Sequence, residues 1–167
     1  HYFISEQFAN RNIKKKYLAI VWGSINNSLN INGYMIRDPK NRLKFKLNDN
    51  KGKFSSSVVK SSSNYELPIS KVDIYPETGR THQIRVHLSS IGHPIIKDEL
   101  YNGGDKMLNS FHQKYKTNFE KMLNLIDRVA LHAHKIEFIH PGNKKKINIT
   151  APIPEDFLNV LNFLDED

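Results

Sequence analysis

The run from Thr78 to His87 places turn residues, several polar side chains and two arginines at the opening of one apparent helix. Ile84, Leu88 and Ile91 recur at i, i+4 and i+7, which is the spacing of a single apolar helical face. Gly92 follows as a helix-ending residue. The pattern therefore predicts a helix that is entered through a tight turn and buried along one side.

A neighbouring face of the same predicted helix carries Thr81, Arg85 and Ser89. A guanidinium on a rigid element can bind a carboxylate or a phosphate through two parallel hydrogen bonds. Arg85 is therefore a candidate functional residue. The alternative interpretation is a solvated amphipathic helix that carries a few charged residues.

The composition favours an acidic partner without requiring one. The 167 residues include 25 lysines and arginines against 17 acids, a formal charge of +8, although many basic proteins bind no nucleic acid. The lack of cysteine excludes disulfides, thiolate metal sites and cysteine catalysis. No apolar run approaches the ~18 residues that span a bilayer, and no secretory signal opens the chain. We expect one cytoplasmic domain that does not enter a membrane.

The local patterns predict an α+β organisation without repeats. Helices are expected at 1–11, 84–91, 119–126 and 157–164, and strands at 16–22, 33–36, 54–59, 67–75, 129–139 and 146–149. Polar turns are expected at 23–32, 61–64 and 140–143, and an exposed strand or loop at 40–53.

Several stretches also carry a family resemblance. Residues 78–95, TGRTHQIRVHLSSIGHPI, are similar to the third signature of the RluA/RsuA-type RNA pseudouridine synthases, and residues 10–21 resemble the tyrosine motif of that family. Residues 98–104 resemble the loop after the signature helix, and 130–141 with 151–157 resemble the terminal strands and helix. The order is that of the RluA-like branch. The resemblance implies a mixed, largely antiparallel sheet with flanking helices and an enzyme that isomerises uridine in RNA.

One family element is missing from the sequence. The nucleophilic aspartate of the family stands in an HRLD-like motif upstream of the tyrosine motif, and none of the 167 residues has that context. We expect residues 1–167 to be one domain, the C-terminal portion of the catalytic domain, and to be inactive alone. The resemblance implies RNA as partner, large-subunit ribosomal RNA first and transfer RNA second, with no DNA, and a monomer. The alternative is a non-catalytic basic RNA-binding module of the same fold.

Tyr17 has two interpretations. A tyrosine at the start of an apolar strand is usually a core residue whose hydroxyl is satisfied at the edge. Alternatively, its ring is a platform for an extruded uracil, since modifying a paired base requires flipping it out. The match to the tyrosine motif implies that Tyr17 is the active-site tyrosine, which stacks on the base and assists proton transfer.

The mechanism that the resemblance implies is covalent catalysis by an aspartate, without a cofactor. A fixed arginine beside a carboxylate lowers its pKa and orients it. The resemblance implies this role for Arg85 and an RNA contact or supporting role for Arg80. It also implies substrate contacts for Thr81, His82, Gln83, Ile84 and Ile136, the isoleucines as walls of the base pocket. Lys97 departs from the glycine usual in the family, so the resemblance does not fix the course of that loop.

Three basic clusters are candidate phosphate contacts, although solvated surface is an equal alternative for each. The first lies beside Tyr17 and is the most credible, and phosphate contacts there would position RNA rather than read its sequence. Its members are Arg11, Lys14, Lys15 and Lys16; the others are Lys40, Arg42, Lys44 and Lys46, and Lys144–Lys146.

The histidines offer a weaker alternative. His82 and His87 are five apart and diverge by about 140° on a helix, so they do not form a chelating pair. His132 and His134 share a strand face, but no third ligand follows at a convincing spacing. Structural or RNA-contacting histidines are expected, and a ribonuclease that uses general acid–base pairs is the least supported hypothesis.

Overall fold

The strand β1 (Lys14–Trp22) carries a fully buried run from Leu18 to Trp22. The computed structural model describes residues 1–166 and places β1 inside a sheet, between two neighbouring strands. A strand covered on both faces is expected to be continuously apolar rather than alternating. The run LAIVW forms this strand for that reason.

The described residues form seven strands in one sheet, ordered β3-β2-β4-β5-β1-β6-β7, and every strand pair among them is antiparallel. The remaining strands are β2 (Leu29–Arg37), β3 (Phe45–Asn48), β4 (Lys53–Asn64), β5 (Ile69–Pro76), β6 (Leu131–Ile139) and β7 (Lys146–Thr150). The helices are α1 (Tyr2–Ala9), α2 (Gln83–Ser90), α3 (Lys116–Leu123) and α4 (Glu155–Glu166), with 3-10 turns at Glu99–Tyr101, Asp105–Ser110 and Gln113–Tyr115. The predicted α+β class with a largely antiparallel sheet and flanking helices is confirmed.

The main core joins the sheet to α2, α3 and α4. Trp22 packs edge-on against Phe119 at 5.0 Å between ring centroids and stacks on Phe111 at 5.5 Å. Its indole Nε1 donates a 2.9 Å hydrogen bond to the carbonyl of Gly103. Trp22 therefore links the centre of the sheet to the connection that follows α2. None of the helices within residues 1–166 is long and apolar enough to cross a bilayer.

Two predicted turns are partly wrong. Residues 61–64 belong to the end of β4, where a register shift lies between Ser61 and Ser63, and the turn falls at 65–68 instead. At this irregularity the hydroxyl of Ser62 donates a hydrogen bond to the backbone carbonyl of Lys71 on β5, at 3.1 Å. The polar turn predicted at 23–32 is shorter, because β2 begins at Leu29 and pairs with β4.

The signature helix begins later than its polar pattern indicates. α2 starts at Gln83, and Thr81 lies outside it, so the predicted helical face shared by Thr81 and Arg85 is wrong. His82 precedes the helix with φ +58°, a left-handed backbone that breaks the helical register. Leu88 packs into the main core, whereas Val86 joins a smaller cluster with Met35 and Tyr101.

The loop after α2 has a left-handed backbone at Lys97, with φ +65°. Glycine adopts this conformation readily, which agrees with the glycine that the family usually has at this point. The ammonium of Lys97 lies 3.0 Å from the carboxylate of Asp105. The loop therefore bends in the glycine-like way despite the substitution.

Candidate active site

Gln83 ties the signature turn to the sheet. The buried amide oxygen accepts hydrogen bonds from the hydroxyl of Thr78 at 2.6 Å and the backbone N–H of Arg80 at 3.0 Å. Its Nε2 donates to the carbonyl of Ser56 and to the hydroxyl of Ser57, both at 2.9 Å. Because both amide protons are used, Gln83 fixes the path of residues 78–82, and its predicted contact with RNA stays a prediction.

Arg85 projects from α2 onto Asp98 in a two-pronged ion pair. Nε and Nη2 each lie 2.7 Å from a different oxygen of Asp98, whose side chain is 1% exposed. The guanidinium also lies over the ring of Tyr101, 4.8 Å from its centroid. The hydrogen bonds that Arg85 donates to Asp98 raise the pKa of the guanidinium above its ordinary value, despite partial burial. Arg85 is thus a permanently charged, rigidly held cation at the edge of a cleft.

His82 belongs to an aromatic cluster beside this pair. Its Nδ1 is 2.8 Å from the hydroxyl of Tyr101, and that hydroxyl also accepts the backbone N–H of Phe45 at 3.0 Å. Burial first, and then the charge of Arg85, lower the pKa of His82. The neutral ring packs edge-on against Phe45 and Tyr101 and anchors the turn to β3.

Tyr17 follows an irregularity in the pairing of β1 with β6. Lys16 pairs with Lys135, but Tyr17 pairs with Ala133, which leaves His134 as an extra residue. Such bulges change the direction of nearby side chains and are frequent beside functional sites. Tyr17 is half-buried, with its ring packed against the main core.

Tyr17 and residues of the signature turn wall one cleft of about 250 Å³, called here the tyrosine cleft. The predicted site residues that line it are Lys15, Tyr17, Arg80, His82, Gln83, Ile84 and Arg85. β1 and α2 therefore bring the two predicted catalytic residues, Tyr17 and Arg85, to the same cavity although they are far apart in sequence.

Ile136 lies on the other side of Tyr17. It lines a second cleft of about 270 Å³ together with Tyr17, Lys15, Phe8 and Ile149. Ile84 and Ile136 are thus in different clefts that share the tyrosine. Thr81 is exposed and lies outside both.

The basic residues near Tyr17 differ in their surroundings. Arg11, Lys15 and Arg80 line a third cleft of about 330 Å³. Lys16 instead pairs with Asp73 at 2.7 Å. Burial lowers the pKa of Lys16, but Asp73 and Tyr75 together raise it above its ordinary value. Lys14 is exposed and lines a shallow cleft with Lys16.

Three further histidines differ in their hydrogen bonding. His87 is fully buried with its Nε2 2.9 Å from the hydroxyl of Ser55, and His134 Nδ1 lies 3.1 Å from the carbonyl of Ala151. His132 keeps a buried Nε2 that has no hydrogen-bond partner among the described atoms. Within residues 1–166, no three histidines or acids are grouped closely enough to bind a metal.

Sequence reasoning missed the residues that hold the site together. The sequence pattern places Asp98 and Tyr101 only in the loop after the signature helix, and the serines at 55–57 only in a strand. Asp98 could have been identified as a partner of Arg85, because it is a carboxylate in the family-like loop that follows the helix carrying this arginine. The partners of Gln83 and His87 depend on strand pairing, for which the sequence offers no local signal.

Comparison with known proteins identifies the class. The sequence model described as RNA pseudouridylate synthase matches residues 2–90, over half of the chain. In structure, human RNA pseudouridylate synthase domain containing 1 superposes with a TM-score of 0.69 at 24% identity, over 92% of this chain and 60% of that one. The chain belongs to the RNA pseudouridylate synthase family, and the predicted family is confirmed.

Among curated relatives, ribosomal large subunit pseudouridine synthase D of Xylella fastidiosa is 34% identical over 97% of the chain. Ribosomal large subunit pseudouridine synthase C of Buchnera aphidicola is 36% identical over 95%. The matches cover 47% and 48% of those relatives. The chain thus spans about half the length of the curated relatives it matches.

Proposed function

We propose that this chain is the part of an RNA pseudouridine synthase that receives the target uridine, within a longer protein whose other half supplies the nucleophilic aspartate. One observation carries the proposal: Tyr17 of the tyrosine motif and Arg85 of the signature helix wall the same cleft. The family membership and the partial coverage of the relatives support it.

In this proposal the ring of Tyr17 is the platform for the extruded uracil. The ring is backed by the core yet half-exposed to clefts on two sides, which suits stacking on one face. Base stacking on an aromatic ring contributes about 1–3 kcal/mol, enough to favour an extruded nucleotide. The hydroxyl then assists proton transfer at the base carbon, while the ring alone gives affinity.

Arg85 orients the nucleophile. Its Nε and Nη2 are engaged by Asp98, whereas Nη1 makes no hydrogen bond within residues 1–166. A second carboxylate that approaches this donor would be kept ionised by the fixed positive charge. Asp98 holds the guanidinium in one orientation. The aspartate from the other half of the protein then binds Nη1.

The substrate that we propose is large-subunit ribosomal RNA, with transfer RNA as the second candidate. The first follows from the names of the relatives, which are ribosomal large subunit pseudouridine synthases. The formal charge of +8 suits a polyanion of either kind. We further propose that the protein acts as a monomer in the cytoplasm and that DNA is not a substrate.

The second candidate is a non-catalytic RNA-binding module of the same fold. It is supported by the basic residues beside Tyr17 and the formal charge of +8, which suit RNA binding without chemistry. The two candidates differ in one product, because a binding module forms no pseudouridine.

The deciding experiment uses the longer protein that contains this chain and a transcript of large-subunit ribosomal RNA. We expect pseudouridine in the wild-type reaction and a strong loss of turnover in Tyr17→Phe, with RNA affinity largely kept. A reaction with no pseudouridine in ribosomal or transfer RNA, despite tight binding, would select the non-catalytic module.

A further inference from the structure

Lys15 occupies a special position on β1. It lines the tyrosine cleft, the second cleft beside Ile136 and the third cleft between Arg11 and Arg80. Its Nζ lies 3.5 Å from the point where a Cβ would stand on Gly79, so the ammonium sits against the backbone of the signature turn. Lys15 therefore lines all three clefts, whereas Tyr17 lines the first two.

Lys15 lacks the counter-ion that three other lysines have. Lys16, Lys97 and Lys146 each have their ammonium within 3.0 Å of a carboxylate, whereas the ammonium of Lys15 forms no ion pair or hydrogen bond within residues 1–166. The side chain is nevertheless half-buried, and that burial lowers the pKa of Lys15. A partly desolvated ammonium with free donors is stabilised by an incoming anion.

The surroundings of Lys15 are positively charged. Arg11 and Arg80 line the same cleft of about 330 Å³ as Lys15. The Nε of Arg80 donates a hydrogen bond to the carbonyl of Phe54. The one acid in that wall, Glu77, accepts a hydrogen bond from the hydroxyl of Ser56. The third cleft therefore has three cationic side chains and one carboxylate, that of Glu77, and its wall carries a net positive charge.

We propose that Lys15, with Arg11 and Arg80, binds a backbone phosphate of the RNA strand next to the nucleotide that stacks on Tyr17. This assignment rests on the proposed function and adds to it the residue that fixes the strand at the cleft. It separates Lys15 from Lys16, which is held by Asp73 and is not assigned to this site.

The test compares Lys15→Met and Lys15→Arg with the exposed control Lys121→Met on α3, in the 167-residue chain. Anisotropy titrations with a short single-stranded RNA are run from low to high salt. One charge-assisted contact is worth about 1.5–3 kcal/mol, so Lys15→Met should weaken binding roughly tenfold or more. The log–log salt slope should fall by about 0.7, the value for one phosphate on a single strand. Lys15→Arg and Lys121→Met should keep most of the affinity.

A second arm replaces single phosphates by neutral methylphosphonates. At one position the substitution should weaken the wild-type chain and leave Lys15→Met unaffected, which locates the bound phosphate. Thermal melting should show Lys15→Met at least as stable as wild type, because a half-buried, unpaired charge has been removed. Lower stability together with unchanged RNA affinity would mean a structural role and would overturn the proposal.

Unchanged affinity and salt slope in Lys15→Met, while the wild-type chain binds RNA, would refute the phosphate site and leave the proposed function standing. A wild-type chain that binds no RNA would count against the proposed function itself. A titration with inorganic phosphate, followed by the Cε resonance of Lys15, tests for a site that binds free phosphate. Saturable binding of phosphate, together with no effect of Lys15→Met on RNA binding, would indicate such a site and overturn the assignment to the RNA strand.

Discussion

Arg85 and Asp98 join the signature helix to the loop that follows it through a side-on ion pair with both nitrogen–oxygen distances at 2.7 Å. Asp98 also accepts the backbone N–H of Tyr101 at 3.2 Å, so the carboxylate has little freedom. The pair fixes the orientation of the arginine independently of any substrate. Arg85 thus has a structural partner as well as its proposed catalytic one.

We predict that Asp98→Asn destabilises the fold strongly. Removing one charge of a buried pair leaves the other uncompensated, which costs about 3–5 kcal/mol. Urea denaturation measures the loss of unfolding free energy. Asp156→Asn is the matched control. Arg128 donates two hydrogen bonds to Asp156, at 2.7 and 2.8 Å, in the same side-on geometry, but both side chains are substantially exposed. The control should lose less than about 1 kcal/mol; equal losses would contradict the buried role.

His87 predicts a dependence of stability on pH. Ser55 donates its hydroxyl proton to the carbonyl of Gly33 at 2.9 Å, so His87 Nε2 must be the donor to Ser55. Nδ1 has no partner among the described residues, and burial lowers the pKa of His87 from 6.5 to about 4. Between these values the unfolded chain binds the additional proton. The contribution of neutral, buried His87 to the free energy of unfolding is therefore fully present above pH 6.5 and is lost as the pH falls toward 4.

The size of this effect should reach about 3 kcal/mol, measured by urea denaturation at several pH values. His87→Gln cannot titrate and should lose this part of the slope, whereas His140→Gln, at an exposed site, should keep it. A wild-type slope in His87→Gln would show that other groups cause the pH dependence.

Local periodicity predicted the elements that frame the site. The apolar run of β1 and the spacing of Ile84 and Leu88 are properties of neighbouring residues, and the structure contains both the strand and the helix. The resemblance then directed attention to Tyr17 and Arg85, which line one cleft. The family and fold class could therefore be predicted from the sequence.

The contacts that fix the site could not be predicted in the same way. The left-handed backbone at His82 ends the helical pattern where the polar spacing suggested continuity. The partners of Gln83 at Ser56 and Ser57 depend on the register of β4 beside the signature turn. These are long-range choices, made by tertiary packing rather than by local preference.

We predict that the 167-residue chain alone forms no pseudouridine. The proposed reaction needs a carboxylate nucleophile, and Asp98, the acid that is paired with Arg85, is buried. The assay incubates the chain with ribosomal RNA and measures pseudouridine, with the longer protein as positive control. Product formed by the chain alone would show that one of its own acids is the nucleophile.

The central claim, that Tyr17 is the platform for the target base, is tested most directly by RNA binding in the 167-residue chain. Anisotropy titrations compare an oligonucleotide carrying a target uridine with one that is abasic at that position, for wild type, Tyr17→Phe and Tyr17→Ala. Wild type and Tyr17→Phe should prefer the uridine by about 1–3 kcal/mol, the worth of stacking one base, and Tyr17→Ala should lose that preference. An undiminished preference for uridine in folded Tyr17→Ala would contradict the account.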